Sequence, residues 1–374
     1  EIDYFEGRLK DSRARAMQAY RLDPDEPDYL ITLARSSARI ELFAEAAQAY
    51  ELFLDTLPKS DTERRDRVRG LIQLYRRLTG LKIHQFSGVE SVTVPFRLGS
   101  DRRPYIKLQV NGKDATFVVD TGSGYTVISE EAARRLGVPE IARGGTSQGF
   151  GGSGHFPIVY GLLRSVQLGG ARVDIVPCFI RPFHSAGHSD ETEADGLIGL
   201  SILSNFLTEL DYRDNALRLD RNFDRAAEPV SPEEIVIPFR TTQNGLISVE
   251  AELDGNHRIN AILDSAAGSV VVSQAAVERF KLRDHIIKNQ TVKVIGAAGV
   301  ANNVELLFVR NWGVADLKQQ NLRALVLNFD AINQTSGFEQ GGIIGGDFLK
   351  NYSVTIDFTR GKVRFKPHTA DMKN

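Results

Sequence analysis

An internal duplication constrains this chain more than any other feature of its sequence. An apolar run ends on an aspartate twice, in Ala115-Thr116-Phe117-Val118-Val119-Asp120 and again in Asn260-Ala261-Ile262-Leu263-Asp264. Thr121-Gly122-Ser123 follows the first aspartate and Ser265-Ala266-Ala267 the second. Further on, Gly196-Leu197-Ile198-Gly199 returns as Gly342-Ile343-Ile344-Gly345, and Leu210-Asp211-Tyr212 returns as Ile356-Asp357-Phe358. Asp264 lies 144 positions after Asp120, while Gly345 and Asp357 each lie 146 positions after their counterparts. Three separated motifs with a nearly constant spacing are the mark of a repeated fold unit.

Each copy reads as β structure. The aspartate runs are preceded by turn signals, Asn111-Gly112 in one and Asp254-Gly255-Asn256 in the other. Each run continues into a short strand and then a helix, Thr126-Val127-Ile128-Ser129 before Glu130 and Val270-Val271-Val272-Ser273 before Gln274. Ser129 and Ser273 stand where an N-cap hydroxyl would accept a bond from the first helical turn. Short alternating strands separated by glycine turns point to an all-β architecture over the segment 92 to 365.

The first 80 residues have a different texture. They are rich in Ala, Arg, Glu and Leu, and apolar residues recur at helical spacing in Leu30, Leu33, Ala34, Ser37 and Ala38, then in Phe43, Ala46, Ala47, Tyr50, Phe53 and Leu54. Pro24 and Pro58 are 34 positions apart, the period of tetratricopeptide repeats. Residues 27 to 60 resemble one such repeat through Leu30, Leu33, Ala34, Ala46, Tyr50 and Pro58, although Phe53 stands where that family prefers a small residue. A third helix is expected over Thr62 to Leu78, with Gly80 as its stop. Such helices bury their apolar faces by stacking, so the segment reads either as a docking surface for a protein partner or as a cap on the β-rich remainder of the chain.

The bulk numbers exclude several functions. At 374 residues the chain is too long for one ordinary domain. A net charge of −2 gives no electrostatic case for nucleic acid or an anionic membrane. No apolar run approaches the ~20 residues needed to cross a bilayer. Cys178 is the only cysteine, which rules out an intrachain disulfide and reads as a buried, inert thiol. His184, His188, Asp190, Glu191, Glu193 and Asp195 cluster, but Pro182, Ser185 and Gly187 make this a loop rather than a helix, and no metal or other cofactor is expected. Because the chain opens on Glu1, a preceding segment is expected. An exported or periplasmic location is preferred on that ground, with the cytoplasm left open.

An Asp-Thr-Gly-Ser run after an apolar strand, followed at a distance by Leu-Ile-Gly, resembles the aspartic proteases. Two such units in tandem resemble two retropepsin-type units fused in one chain, as in the two-lobed pepsins, over roughly residues 92 to 366. The resemblance implies three regions: a tetratricopeptide-like helical segment at 1–80, a first lobe at 81–228 and a second at 229–374. It implies a mainly β, two-lobed fold behind an all-α segment. It further implies that Asp120 and Asp264 form a catalytic pair sharing one proton, because two carboxylates a few Å apart cannot both ionise cheaply. One would act as general base on a water and the other would donate to the peptide carbonyl.

Other roles follow from the same resemblance. Thr121 and Ser265 would tie the two active-site turns together, while Gly122, Ser123 and Ala266 would complete those turns. Gly199 and Gly345 would let a strand pass closely beneath them. Glycine-rich hairpins would cover the substrate as flaps, one at Gly149, Phe150, Gly151 and Gly152, the other at Ile295, Gly296 and Ala297. The substrate would be a peptide or protein.

The second turn departs from the family at Ala266, which stands in place of glycine. Were φ positive there, alanine would cost about 1 kcal/mol or more. Were φ negative, both the residue and its amide donor would be tolerated. Two readings therefore stand: an aspartic endopeptidase, and a non-catalytic peptide-binding scaffold with a distorted second turn. A dyad formed between two chains is disfavoured by the duplication.

Overall fold

The computed structural model describes residues 1–147, 156–183, 194–224, 232–297 and 299–368. Five helices come first: α1 (Ile2–Phe5), α2 (Leu9–Leu22), α3 (Asp28–Arg39), α4 (Phe43–Thr56) and α5 (Thr62–Leu78). From α2 to α5, each helix packs on the next. Prolines mark the boundaries, with Pro27 at the N-cap of α3 and Pro58 just past α4. The Asp61 carboxylate accepts the Arg64 amide at 3.2 Å and caps α5. The apolar stripes face inward: Leu30, Leu33, Ala34, Phe43, Ala46, Tyr50 and Phe53 are all buried.

This stack shares its core with the β structure. Ala142, Ile158 and Tyr160, which lie in strands, join the same buried cluster as Tyr50, Leu74 and Tyr75. Helix α1 reaches further, to the second copy of the duplicated unit. The Tyr4 hydroxyl donates to the Gln243 carbonyl at 2.8 Å, and the Phe5 and Phe338 rings meet edge to face.

The two copies fold alike. In the first, strands Pro104–Val110 and Lys113–Val119 form a hairpin, and strand Gly196–Ile198 lies parallel to the latter. In the second, Ile247–Leu253 and His257–Leu263 form the hairpin, and Gly342–Ile344 lies parallel to it. The turn signals behave as expected. Asn111 and Gly112 both adopt positive φ, as do Asp254 and Gly255. The side chains of Asn111 and Asp254 do matching work: each Oδ1 accepts two amides, from Arg164 and Ser165 in one lobe and from Arg310 and Asn311 in the other. Ser129 and Ser273 cap their helices, each accepting an amide at 3.0 Å.

An antiparallel sheet joins the lobes, in the order Ile235–Pro238, Lys362–Pro367, Tyr352–Asp357, Leu207–Asp211, Ala216–Asp220 and Ser91–Leu98. Its central seam pairs Leu210 of one lobe with Val354 of the other. Asp211 and Asp357 sit at the ends of these strands, where each carboxylate accepts two backbone amides of the following turn. A single apolar cluster runs through both lobes and includes Phe117, Phe206, Phe348, Phe365 and Trp312, all fully buried. No helix among the described residues is long and apolar enough to cross a membrane.

Candidate active site

Each aspartate sits immediately after the strand that its apolar run builds. Backbone pairing fixes both positions: the Asp120 amide donates to Ile198 O at 3.0 Å and the Asp264 amide to Ile344 O at 3.1 Å. The following strand ends then pass beneath the turns. Leu200 N donates to Ser123 O and Gly346 N to Ala267 O. A β-carbon at Gly199 would collide with the Tyr125 carbonyl, and one at Gly345 with the Ser269 carbonyl. Both glycines have ordinary negative φ, so it is space rather than conformation that demands them.

The two turns bind each other reciprocally. The Thr121 amide donates to Ser265 Oγ at 3.0 Å, and the Ser265 amide donates to Thr121 Oγ1 at 2.9 Å. The Thr121 hydroxyl donates on to Leu263 O at 2.8 Å, and the Ser265 hydroxyl to Val119 O at 2.7 Å. All four polar groups are satisfied in a fully buried position, where a lost partner is costly. This lock brings the first turn against the second aspartate. A β-carbon on Gly122 would overlap the Asp264 carboxyl group.

Asp120 is buried and Asp264 half-buried. The Gly122 amide donates to Asp120 Oδ1 at 2.9 Å. Asp264 Oδ1 accepts two amides, from Ala266 at 2.8 Å and Ala267 at 3.0 Å. Neither Gly122 nor Ala266 lies in the left-handed region. Alanine therefore carries no conformational penalty at 266, and its amide still reaches the carboxylate. Ser123 donates its hydroxyl to the Tyr125 carbonyl at 2.8 Å and so braces the first turn.

Both carboxyls hold their protons to higher pH than a free aspartate. For Asp120 the main cause is burial, then the charge of Asp264, opposed by the Gly122 amide and by Arg181 and Arg103. For Asp264 it is again burial, opposed by its two amides, by Arg103 and by a hydrogen bond from Asp120. Each carboxyl bears on the other, so the two titrate as a pair.

The expected flaps fare differently. Gly149, Phe150, Gly151 and Gly152 lie outside the described residues. The strands that flank them, Glu140–Ser147 and Phe156–Leu168, pair up to Ser147 opposite Phe156. Ile295, Gly296 and Ala297 form the end of a hairpin between Ile286–Gly296 and Gly299–Val314. The end of this hairpin reaches the first lobe, where Arg181 Nη1 donates to the Ala297 carbonyl at 2.7 Å. Of the acidic and histidine cluster, positions 184 to 193 are likewise outside the described residues. Asp195 accepts the Thr116 amide at 2.9 Å and pairs with Arg135. Cys178 is buried, and burial pushes its thiol up to about 12.

Arg181 and Arg103 escaped the sequence reading because neither belongs to a repeated motif. Tyr125 escaped it too. Its ring packs on Phe179 at 4.7 Å, Phe179 packs on Tyr160, and both of those rings belong to the cluster that holds Tyr75 of α5. The helical segment is thus linked through Phe179 to a residue five positions after Asp120.

A family model described as aspartyl protease matches residues 106–202 and 249–348, together more than half of the chain. The chain belongs to the aspartyl protease family. The two matched stretches are the two copies of the duplicated unit, and each contains one aspartate turn and its returning glycine strand. Among solved structures, this aspartyl protease family member is similar to basic 7S globulin from soybean, at 13% identity and a TM-score of 0.42, over 74% of this chain and 95% of that one. It is also similar to the aspartic proteinase from Irpex lacteus, at 12% identity and a TM-score of 0.46, over 76% of this chain and 99% of that one. No curated protein matches.

Proposed function

We propose that the chain is an aspartic endopeptidase whose catalytic pair is Asp120 and Asp264. The observation that carries this reading is the reciprocal lock of Thr121 and Ser265, which sets Gly122 against the Asp264 carboxyl and leaves the two acids in one pocket. Asp264 accepts two amides and Asp120 one, so the negative charge is better held on Asp264. The shared proton then resides on Asp120. In the reaction, Asp264 takes a proton from a water lying between the acids as the water oxygen attacks the peptide carbonyl. Asp120 gives its proton to the carbonyl oxygen; as the tetrahedral intermediate collapses, Asp264 passes the proton it took from the water to the leaving nitrogen and Asp120 recovers one from the diol hydroxyl. No residue forms a covalent bond to the substrate. An extended peptide in the groove pairs through its main chain with strand edges, and the hairpin ending at Ile295, Gly296 and Ala297 closes over it.

The helical segment recruits a protein substrate or a regulator in this reading. Its support is the packing of α5 on strand Glu140–Ser147, together with the buried cluster that joins Tyr75 to Phe179, the ring against Tyr125. A protein held by the helices is thereby coupled to the groove.

The test is cleavage of an unfolded protein or a peptide library between pH 3 and 7, with Asp120→Asn, Asp264→Asn and Ala266→Gly alongside the parent. Cleavage is expected to vanish in both asparagine variants and to stay within a few-fold of the parent in Ala266→Gly. Activity surviving either asparagine change overturns the shared mechanism. A parent that is silent until glycine is restored at 266 would mean that the second turn is the defect.

A further inference from the structure

Arg181 ends strand Ala171–Arg181, directly opposite Ser129 in a parallel pairing. In the second lobe the same register sets Ser273 opposite Leu327, a buried leucine. The fold therefore accepts an apolar side chain at this position, and the guanidinium in the first lobe answers some other need. Its direct contacts are uncharged. Nη1 donates to the Ala297 carbonyl, and the cation lies over the rings of Phe156 at 5.4 Å and Phe183 at 5.5 Å. A guanidinium carries five N–H donors in a planar fork that matches a carboxylate. No carboxylate within the described residues forms an ion pair with Arg181, although arginines elsewhere in the chain do so freely, such as Arg135 with Asp195 and Arg218 with Asp211.

The guanidinium spans the two lobes on the side of Asp120. The carbonyl it holds belongs to the second-lobe hairpin, which the guanidinium reaches from the first lobe. Asp120 is close enough to favour the charged form of Arg181, and burial opposes that form. A half-buried cation with aromatic faces on its flanks and spare donors is a preorganised acceptor for an anion, because its own desolvation is already largely complete before a ligand arrives.

We propose that Arg181 recognises a carboxylate of the bound peptide and makes the groove selective for acidic substrates. The inference rests on reading the groove as a peptidase site. The carboxylate can be a Glu or Asp side chain or a free C-terminus, and the two differ in what amidation of the peptide does. Arg181 acts here in binding and takes no part in the transfer of protons.

Binding and cleavage can be separated by working in the full-length Asp120→Asn chain, with fluorescently labelled peptides read by anisotropy. The peptides form pairs that differ only in Glu against Gln at one position, scanned along the sequence, each with a free or an amidated C-terminus. At one position, or at the free terminus, the acidic member should bind about tenfold more tightly. That preference should persist in part in Arg181→Lys, disappear in Arg181→Gln and turn into a preference for the Gln member in Arg181→Glu. A gain confined to free-acid peptides assigns the carboxylate to the C-terminus, and a gain at one internal position assigns it to a side chain. Equal affinities throughout the pairs, with binding intact, overturn the role of Arg181 and leave the peptidase reading standing. Absence of binding by every peptide, together with a parent that cleaves none of them, overturns both.

Discussion

Asp120 and Asp264 both bind their protons more tightly in the folded chain than an ordinary aspartate does, burial being the first cause for each. An unfolded chain releases both protons around the usual aspartate range, near pH 4. Below that range both states are fully protonated and the pair makes its full contribution to stability. As pH rises, the unfolded chain gives up its protons first, and the stability held in the protonated pair is lost progressively until the folded carboxyls ionise. Asparagine imitates the protonated acid and keeps Oδ1 available to the amides. Asp120→Asn is therefore expected to stabilise the fold at pH 7 by about 1 kcal/mol or more and to leave it almost unchanged at pH 3. Thermal melts at the two pH values check this, and an equal shift at both would refute the linkage. The residues that made the pair visible were those repeated in the sequence. Asp120 and Asp264, with Thr121 and Ser265 after them, recur at a fixed spacing and occupy equivalent places. Arg181 was invisible for the opposite reason, since its structural counterpart is Leu327 and no periodicity marks it.

Among the elements, α5 is the one whose packing is least like that of a surface helix. Gly70 lies within it, where glycine ordinarily destabilises by about 1 kcal/mol relative to alanine. The cause is the partner. A β-carbon at Gly70 would lie 2.6 Å from the Gly144 Cα, and one at Gly144 would meet both Gly70 and the Asp66 carbonyl. Helix and strand touch backbone to backbone, beside a register shift between Arg143 and Thr146. Gly70→Ala therefore sets two effects against each other, a gain in helix propensity and a clash with main chain that cannot rotate away. The clash is the larger, since overpacking of this kind typically costs about 1–3 kcal/mol. A lower melting temperature is expected, with α5 displaced from the strand. A melting temperature at or above the parent's would show that the contact yields easily. The helices themselves could be read from their spacing, as in Leu30, Leu33 and Ala34. The Gly70–Gly144 contact could not, because it joins two segments whose local patterns carry no trace of one another.

For the whole molecule, the change of texture near residue 80 is real, since α5 ends at Leu78 and the first strand, Gln85–Gly88, comes next. Texture reports local structure, however, and says nothing of where an apolar face is buried. The stack closes on Ala142, Ile158 and Tyr160 of the first lobe, with Ile141, Leu162 and Phe179 packed around them. Tyr4 and Phe5 of α1 meanwhile bind the second lobe at Gln243 and Phe338. The helices thus cover apolar surface on one lobe and brace the other, beside the sheet that already joins the lobes through Leu210 and Val354. A chain beginning at residue 81 is expected to keep the strand pairings of both lobes while exposing a contiguous apolar patch on the first, the kind of surface that drives association. Its soluble yield and melting temperature should fall, it should bind a hydrophobic dye in the native state, and adding the separate 1–80 segment should reverse the dye signal if that segment folds. A truncated chain that stays monomeric, dye-silent and as heat-stable as the parent would mean that the helices only dock on a lobe complete without them. Loss of stability would instead place residues 1–80 within the same structural unit as the two lobes, continuous through Tyr75 and Phe179 with Tyr125 and the first aspartate turn.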